Sequence, residues 1–279
     1  MSEIDSFSVK INPNTKFIFS TSGSANSIQK HNSALQKLGL DLMYFNFSDP
    51  ITPMQYAELL KSPISRGGAV TGKDGLKSTI IPFLDEVEPI AKKTLAVNTV
   101  INQGGKLLGY NTDAEGLKAA LSEGINNSNH TIKTAVIYGN GGVSGVAYHV
   151  LKELGIKAVI TGRNREKVNS KKRDLEIEDD DFNGPYDLLV DATPISSQAD
   201  FLKAEGFKEL ITHCKMVFSH NMPEKDNKQN HLQKYCLEHN LEFIPGSEMY
   251  KAQLIRQYKL FIGDISTEQI LENWNLEAI

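Results

Sequence analysis

Between residues 16 and 97 the chain alternates short runs of aromatic and β-branched residues with longer stretches whose apolar positions recur every three or four residues. FIFS (17–20) precedes SIQKHNSALQKLGL (27–40), LMYFNF (42–47) precedes PMQYAELLK (53–61), and GGAVT (67–71) opens a segment reaching Asp85. The short runs read as strands and the longer periodic stretches as helices. Such a β-α-β-α succession builds a largely parallel sheet covered by helices. AVNTVIN (96–102) and KLLGYN (106–111), separated by Gln103, Gly104 and Gly105, then read as a hairpin leading into the periodic DAEGLKAALSEG (113–124).

INNSNHTIK (125–133) is polar and lacks a hydrophobic period, so the domain boundary is placed there. Beyond it the alternation restarts with TAVIYG (134–139), an amphipathic helix over 143–155, AVITG (158–162), a charged helical segment, YDLLVDAT (186–193) and MVFS (216–219). The acid-rich DLEIEDDD (174–181) reads as a solvated helix end or loop. Helical patterns at 227–240, 247–263 and 266–274 complete the chain. The predicted class is α/β with three segments: residues 1–124, a doubly wound unit over 125–245, and terminal helices over 246–279.

Composition narrows the partners. The 279 residues are 40% hydrophobic, enough for two cores, and the net charge of -4 from 34 acidic and 30 basic residues offers no footprint for nucleic acid or an anionic membrane. Neither partner is expected. Two cysteines, Cys214 and Cys236, exclude a disulfide framework, and with the polar start MSEIDSFSVK and the lack of an 18-residue apolar run they predict a cytoplasmic protein. His213, Cys214, His220, Cys236 and His239 match no compact zinc spacing, so no metal is predicted, and no G-x-S-x-G suggests a serine nucleophile.

The strongest chemical signal is the strand–turn–helix passage TAVIYGNGGVSGVAYHVLKELG (134–155). Glycines at 139, 141 and 142 let a pyrophosphate approach the backbone, and the helix N-terminus supplies amides and positive dipole. Gly139, Asn140, Gly141, Gly142 and Val143 are therefore candidate cofactor contacts, with small Ser144 in the place of the third fingerprint glycine. About 20 residues on, an acid would bind the 2′-hydroxyl of NAD. Here the strand ends in GRNREK, so Arg163, Asn164 and Arg165, with Lys167 nearby, predict NADP through neutralisation of a 2′-phosphate.

AVNT (96–99), GYNTD (109–113) and GSEMYKAQ (246–253) occur in this order around the glycine loop, and on them the chain resembles the shikimate dehydrogenase family, from the His31-Asn32 pair to Gln253. The resemblance implies an N-terminal α/β substrate domain, a C-terminal Rossmann-like NADP-binding domain, a cleft between them, and last helices returning to the first domain. It implies reversible reduction of 3-dehydroshikimate, or a close cyclic keto acid, to shikimate, in aromatic amino acid biosynthesis. The partner would be a small cyclic hydroxy or keto acid, and the protein a monomer or homodimer. Asp113 matches the aspartate of the family's lysine–aspartate dyad. The lysine motif is altered to AVTGKDGLK (69–77), with Lys77 in register if two residues are inserted and Lys73 as the rival.

Thr71, Asn98 and Gln253 match substrate-hydroxyl contacts. Of the serine pair that grips the carboxylate only Ser27 matches, the partner position being Ala25, so Ser24 or Ser22 is a candidate substitute. Thr193, Gly246 and Met249 fall on the nicotinamide side. There the family's T-x-x-G-M reads TPISS (193–197), while its Y-x-P tyrosine, which lies where the carboxylate should bind, is Asn221. These departures bear on the substrate, leaving open quinate or an analogue, and a non-catalytic nucleotide sensor with the same fold.

Overall fold

The computed structural model describes residues 11–71, 75–178, 185–222 and 229–276. Contacts divide them into two units, one holding the chain up to Asn111 together with Gln257 onward, the other Thr112–Arg256.

In the first unit, strand β1 (Lys16–Ser20), helix α1 (Ala25–Lys37), β2 (Leu42–Asn46), α2 (Pro53–Lys61) and β3 (Ser65–Ala69) follow the predicted alternation. Ser24 caps α1, and Thr52 with Gln55 forms a capping box ahead of Pro53 in α2. Then come α3 (Leu76–Thr79), β4 (Glu86–Val87), α4 (Pro89–Lys93), and the hairpin β5 (Thr99–Gln103) and β6 (Lys106–Tyr110), which turns at Gly104 and Gly105 with both φ positive. The sheet order is β2-β1-β3-β5-β6-β4. β1 is parallel to β2 and β3, whereas β5 runs antiparallel to β3 and β6. The core beneath it gathers Phe19, Tyr56, Leu60, Val70, Ile80, Val97 and Leu107.

The second unit begins with α5 (Thr112–Asn126) and winds β7 (Thr134–Tyr138), α6 (Gly142–Glu153), β8 (Lys157–Thr161), α7 (Arg165–Asp174), β9 (Leu188–Asp191), α8 (Phe207–His213), β10 (Met216–Ser219), α9 (His231–Glu238), β11 (Glu242–Ile244) and α10 (Gly246–Ile262). All pairings in the sheet β11-β10-β9-β7-β8 are parallel. Covered on both faces, β7, β9 and β10 are buried at every position, which is why they read as continuous apolar runs.

The contact boundaries stand at 111/112 and 256/257, away from the sequence boundaries at 124/125 and 245/246. α5 groups with the second unit because its buried face packs on α6 and because Gly116 lies so close to α10 that a Cβ there would come within 2.5 Å of the Met249 carbonyl oxygen. Within α10 the change falls one turn after Gln253. From Gln257 on, α10 and then α11 (Thr267–Asn273) belong to the first unit. There the buried His31 ring is held by Tyr258, whose hydroxyl is 2.6 Å from Nδ1, and by Trp274, whose indole N–H donates to Nδ1 at 3.0 Å. β4, α4, α8 and β11 were not predicted, since segments of two to seven residues are too short to show a period. No helix among the described residues is long and apolar enough to cross a membrane.

Candidate active site

In the first unit the polar candidates collect where β1, β3 and β5 end or begin. Thr71, just past β3, accepts at its backbone carbonyl from the Thr21 hydroxyl, 2.8 Å away. Its own hydroxyl lies 2.9 Å from Ser22 Oγ and 3.3 Å from Ser20 Oγ. Of the serines, Ser22 is the nearest to the Thr71 hydroxyl. Ser24 instead accepts from the Ser27 N–H at 3.2 Å as the cap of α1, so this oxygen is engaged by the helix, while Ser27 is half-buried within α1.

Asn98 is buried ahead of β5, its Oδ1 accepting from the Thr99 hydroxyl at 3.0 Å, and Thr99 Oγ1 in turn accepts from the Gln257 amide at 2.8 Å. Gln257 is a residue that the sequence reading missed. Its i, i+4 spacing from Gln253 on the same helix was the available signal. Gln253 itself is half-buried and groups with the second unit.

Lys77 sits in the first turn of α3, half-buried, with its carbonyl accepting from Val97 N at 2.8 Å, which ties this helix to the AVNT segment. Lys73 lies outside the described residues. Asp113, half-buried, occupies the first turn of α5, where a carboxylate is favoured by the helix dipole.

In the second unit, the loop from Gly139 to Val143 crosses the carboxyl end of β7. Gly139 has φ +133°, and a Cβ there would sit 2.8 Å from the Ala192 carbonyl oxygen, so only glycine fits. Asn140, Gly141 and Gly142 are exposed, and α6 starts from Gly141 with no side-chain cap, leaving its first amides for a ligand. Ser144 is buried, its hydroxyl donating to the Gly141 carbonyl at 2.6 Å, which holds the loop against the helix.

At the end of β8, Arg163 and Arg165 are exposed on either side of Asn164, whose side chain caps α7 by accepting from Lys167 N at 2.9 Å. Arg163 also lines a cavity of about 210 Å³ with Tyr138, Thr193 and Pro194. Thr193 donates through its N–H and hydroxyl to Asp191 Oδ1 at 3.0 and 2.6 Å. Burial raises the pKa of Asp191, opposed by those donors and by His220. Gly246 opens α10 against the His220–Asn221 backbone, where a Cβ would meet the His220 carbonyl oxygen at 2.6 Å, and Met249 is buried one turn later.

Cys214 and Cys236 are unpaired and buried, and burial pushes both thiols up to about 12, which makes them inert core residues. Among the described residues no three His, Cys, Asp or Glu side chains gather as metal ligands.

A shikimate dehydrogenase (NADP(+)) from Desulforamulus reducens is 36% identical over 265 residues, covering 87% of this chain and 87% of its own. This chain belongs to the shikimate dehydrogenase family. Another relative, a shikimate dehydrogenase (NADP(+)) from Bacillus cereus, is 33% identical over 183 residues, covering 59% of this chain and 63% of its own. Among solved structures, shikimate dehydrogenase from Aquifex aeolicus shares 25% identity at a TM-score of 0.72, covering 95% of this chain and 99% of its own. That of Thermus thermophilus in complex with shikimate shares the fold at a TM-score of 0.72 and 22% identity, covering 94% of this chain and 99% of its own. No family model matches the chain.

Proposed function

We propose that this chain is an NADP-dependent dehydrogenase that interconverts shikimate, or a close cyclic hydroxy acid, with the corresponding 3-keto acid. The observation that carries the reading is the uncapped start of α6 behind a glycine that tolerates no Cβ, with Arg163 at the end of the neighbouring strand. That set fits NADP: amides and dipole for the pyrophosphate, guanidinium for the 2′-phosphate. When bound, the reduced nicotinamide supplies the hydride that attacks the substrate's carbonyl carbon.

The remaining work falls to side chains. Lys77 delivers a proton to the carbonyl oxygen as it becomes an alkoxide, and takes it back from the hydroxyl in the reverse direction. Asp113 is assigned as the second catalytic residue. Thr71, Asn98 and Gln253 take the ring hydroxyls, each of which needs a partner once out of water. Ser22, from its contact with Thr71, joins Ser24 and Ser27 as a candidate for the carboxylate. We place the protein in the cytoplasm.

A quinate-type substrate is the second reading, favoured because Asn221, standing for the family's tyrosine, bonds inward to Ser196 and Thr193. Absorbance at 340 nm of the pure protein with NADP or NAD against shikimate, quinate and simple hydroxy acids tests both. NADPH formation with shikimate is expected. Turnover of quinate alone selects the second reading. Cofactor binding without turnover of any of these acids makes the chain a nucleotide sensor.

A further inference from the structure

Two departures from the family pattern, Ser196 for a glycine and Asn221 for a tyrosine, meet each other. Asn221 Nδ2 lies 2.5 Å from Ser196 Oγ and 2.6 Å from the Thr193 carbonyl oxygen, with Ser219 Oγ at 3.2 Å and Asp191 Oδ2 at 3.3 Å. Asp191 is fully buried, and its Oδ2 also accepts from the Ser219 hydroxyl at 3.0 Å. The Thr193 carbonyl can only accept, so the amide must present its NH₂ end. The flipped amide would set oxygen against oxygen at this short range. Both protons of that NH₂ are committed to Thr193 and Ser196. Oδ1, on the other arm of the planar amide, accepts from no donor among the described residues.

The sheet register locates this amide. Tyr138, Asp191 and Ser219 stand opposite one another in β7, β9 and β10, and Thr161 of β8 stands opposite Tyr138 on the other side. The rim therefore carries, in order, the Arg163 corner, the glycine loop, and the Asp191–Asn221 cluster, at about 5 Å per strand. With a 2′-phosphate at β8 and a pyrophosphate at the start of α6, the second mononucleotide falls beyond β9 and β10. Its nicotinamide carries a carboxamide with an N–H donor.

We propose that Asn221, clamped by Ser196 and Thr193 over Asp191, positions the nicotinamide by accepting a hydrogen bond from its carboxamide through Oδ1. The two departures are thereby one device: the serine fixes the orientation of the asparagine. This deepens, and rests on, the dinucleotide reading of the glycine loop. It moves position 221 from the substrate to the cofactor, so the substrate carboxylate is left to the serines of the first unit.

Calorimetry with NADP and with 2′-phospho-ADP-ribose, the same molecule without its nicotinamide, tests the assignment without any turnover. Asn221→Ala should weaken NADP about tenfold while moving 2′-phospho-ADP-ribose by less than about twofold. Ser196→Gly should give the same split at smaller size, and the double variant should lose no more than Asn221→Ala, since both act through one amide. Equal loss of both ligands, or of neither, overturns the proposal. If Asn221→Ala does not fold, Ser196→Gly decides alone by the same split. A parent protein that binds neither ligand overturns the dinucleotide reading itself, which a parent with normal affinity and an indifferent Asn221→Ala leaves standing.

Discussion

The two units build their sites from different materials. In the second, the candidate cofactor site is backbone: five consecutive residues, a glycine at φ +133°, and the bare first turn of α6. In the first, it is side chains drawn from separated segments, with Ser22 after β1, Thr71 after β3, Asn98 ahead of β5 and Gln257 in α10. A site made of amides survives sequence change as long as the glycines and the helix start persist. A site made of hydroxyls and amides from many segments can exchange members singly, as Ala25 for a serine shows.

The sharpest break in that comparison is Lys77→Ala. If side chains do the chemistry and backbone the binding, kcat should fall about 10²–10⁴-fold with the Kd for NADP unchanged. Undiminished turnover would pass the role to Lys73 or dissolve the division of labour.

Acid should destabilise the unit that carries the side-chain site, through His31. His31 is buried and its pKa is lowered from 6.5 to about 4, by burial first and by the Lys30 charge second, and Nδ1 must be unprotonated to accept from Trp274. The folded state then binds fewer protons than the unfolded one between these values. This contribution is complete above pH 6.5 and is lost as pH falls towards 4, at about 3 kcal/mol over the window. Urea unfolding followed by the single tryptophan, Trp274, should show the slope. His31→Gln should flatten it.

Arg163→Ala addresses the cofactor side. Losing one charge-assisted contact worth about 1.5–3 kcal/mol should weaken NADP roughly 10- to 150-fold and leave NAD nearly unchanged. A parent protein that already prefers NAD would contradict it.

The smallest effect is expected at Ser22→Ala. One neutral hydrogen bond is worth about 0.5–1.5 kcal/mol, so KM for the acid should rise roughly two- to twelvefold with KM for NADP unmoved. If Ser24→Ala gives the larger rise in KM, the carboxylate grip lies at the cap of α1 and the Ser22–Thr71 pair is only structural.

What the sequence determined by itself was whatever depends on near neighbours. Strands β7, β9 and β10 are legible because burial on both faces demands unbroken apolar runs, and the glycine loop because its geometry is made within a few residues. The hairpin at Gly104-Gly105 is legible for the same reason. Tertiary structure alone decided what depends on distant segments meeting. It grouped α5 with the second unit through the packing of Gly116 on α10, and it paired Ser22 with Thr71 across 49 residues. It set Gln257 on Thr99 across 158 residues, and it closed Asn221 onto Ser196. No local period or propensity encodes such meetings, because a hydroxyl or amide has the same preference wherever its partner lies in the chain, and only the fold supplies the partner.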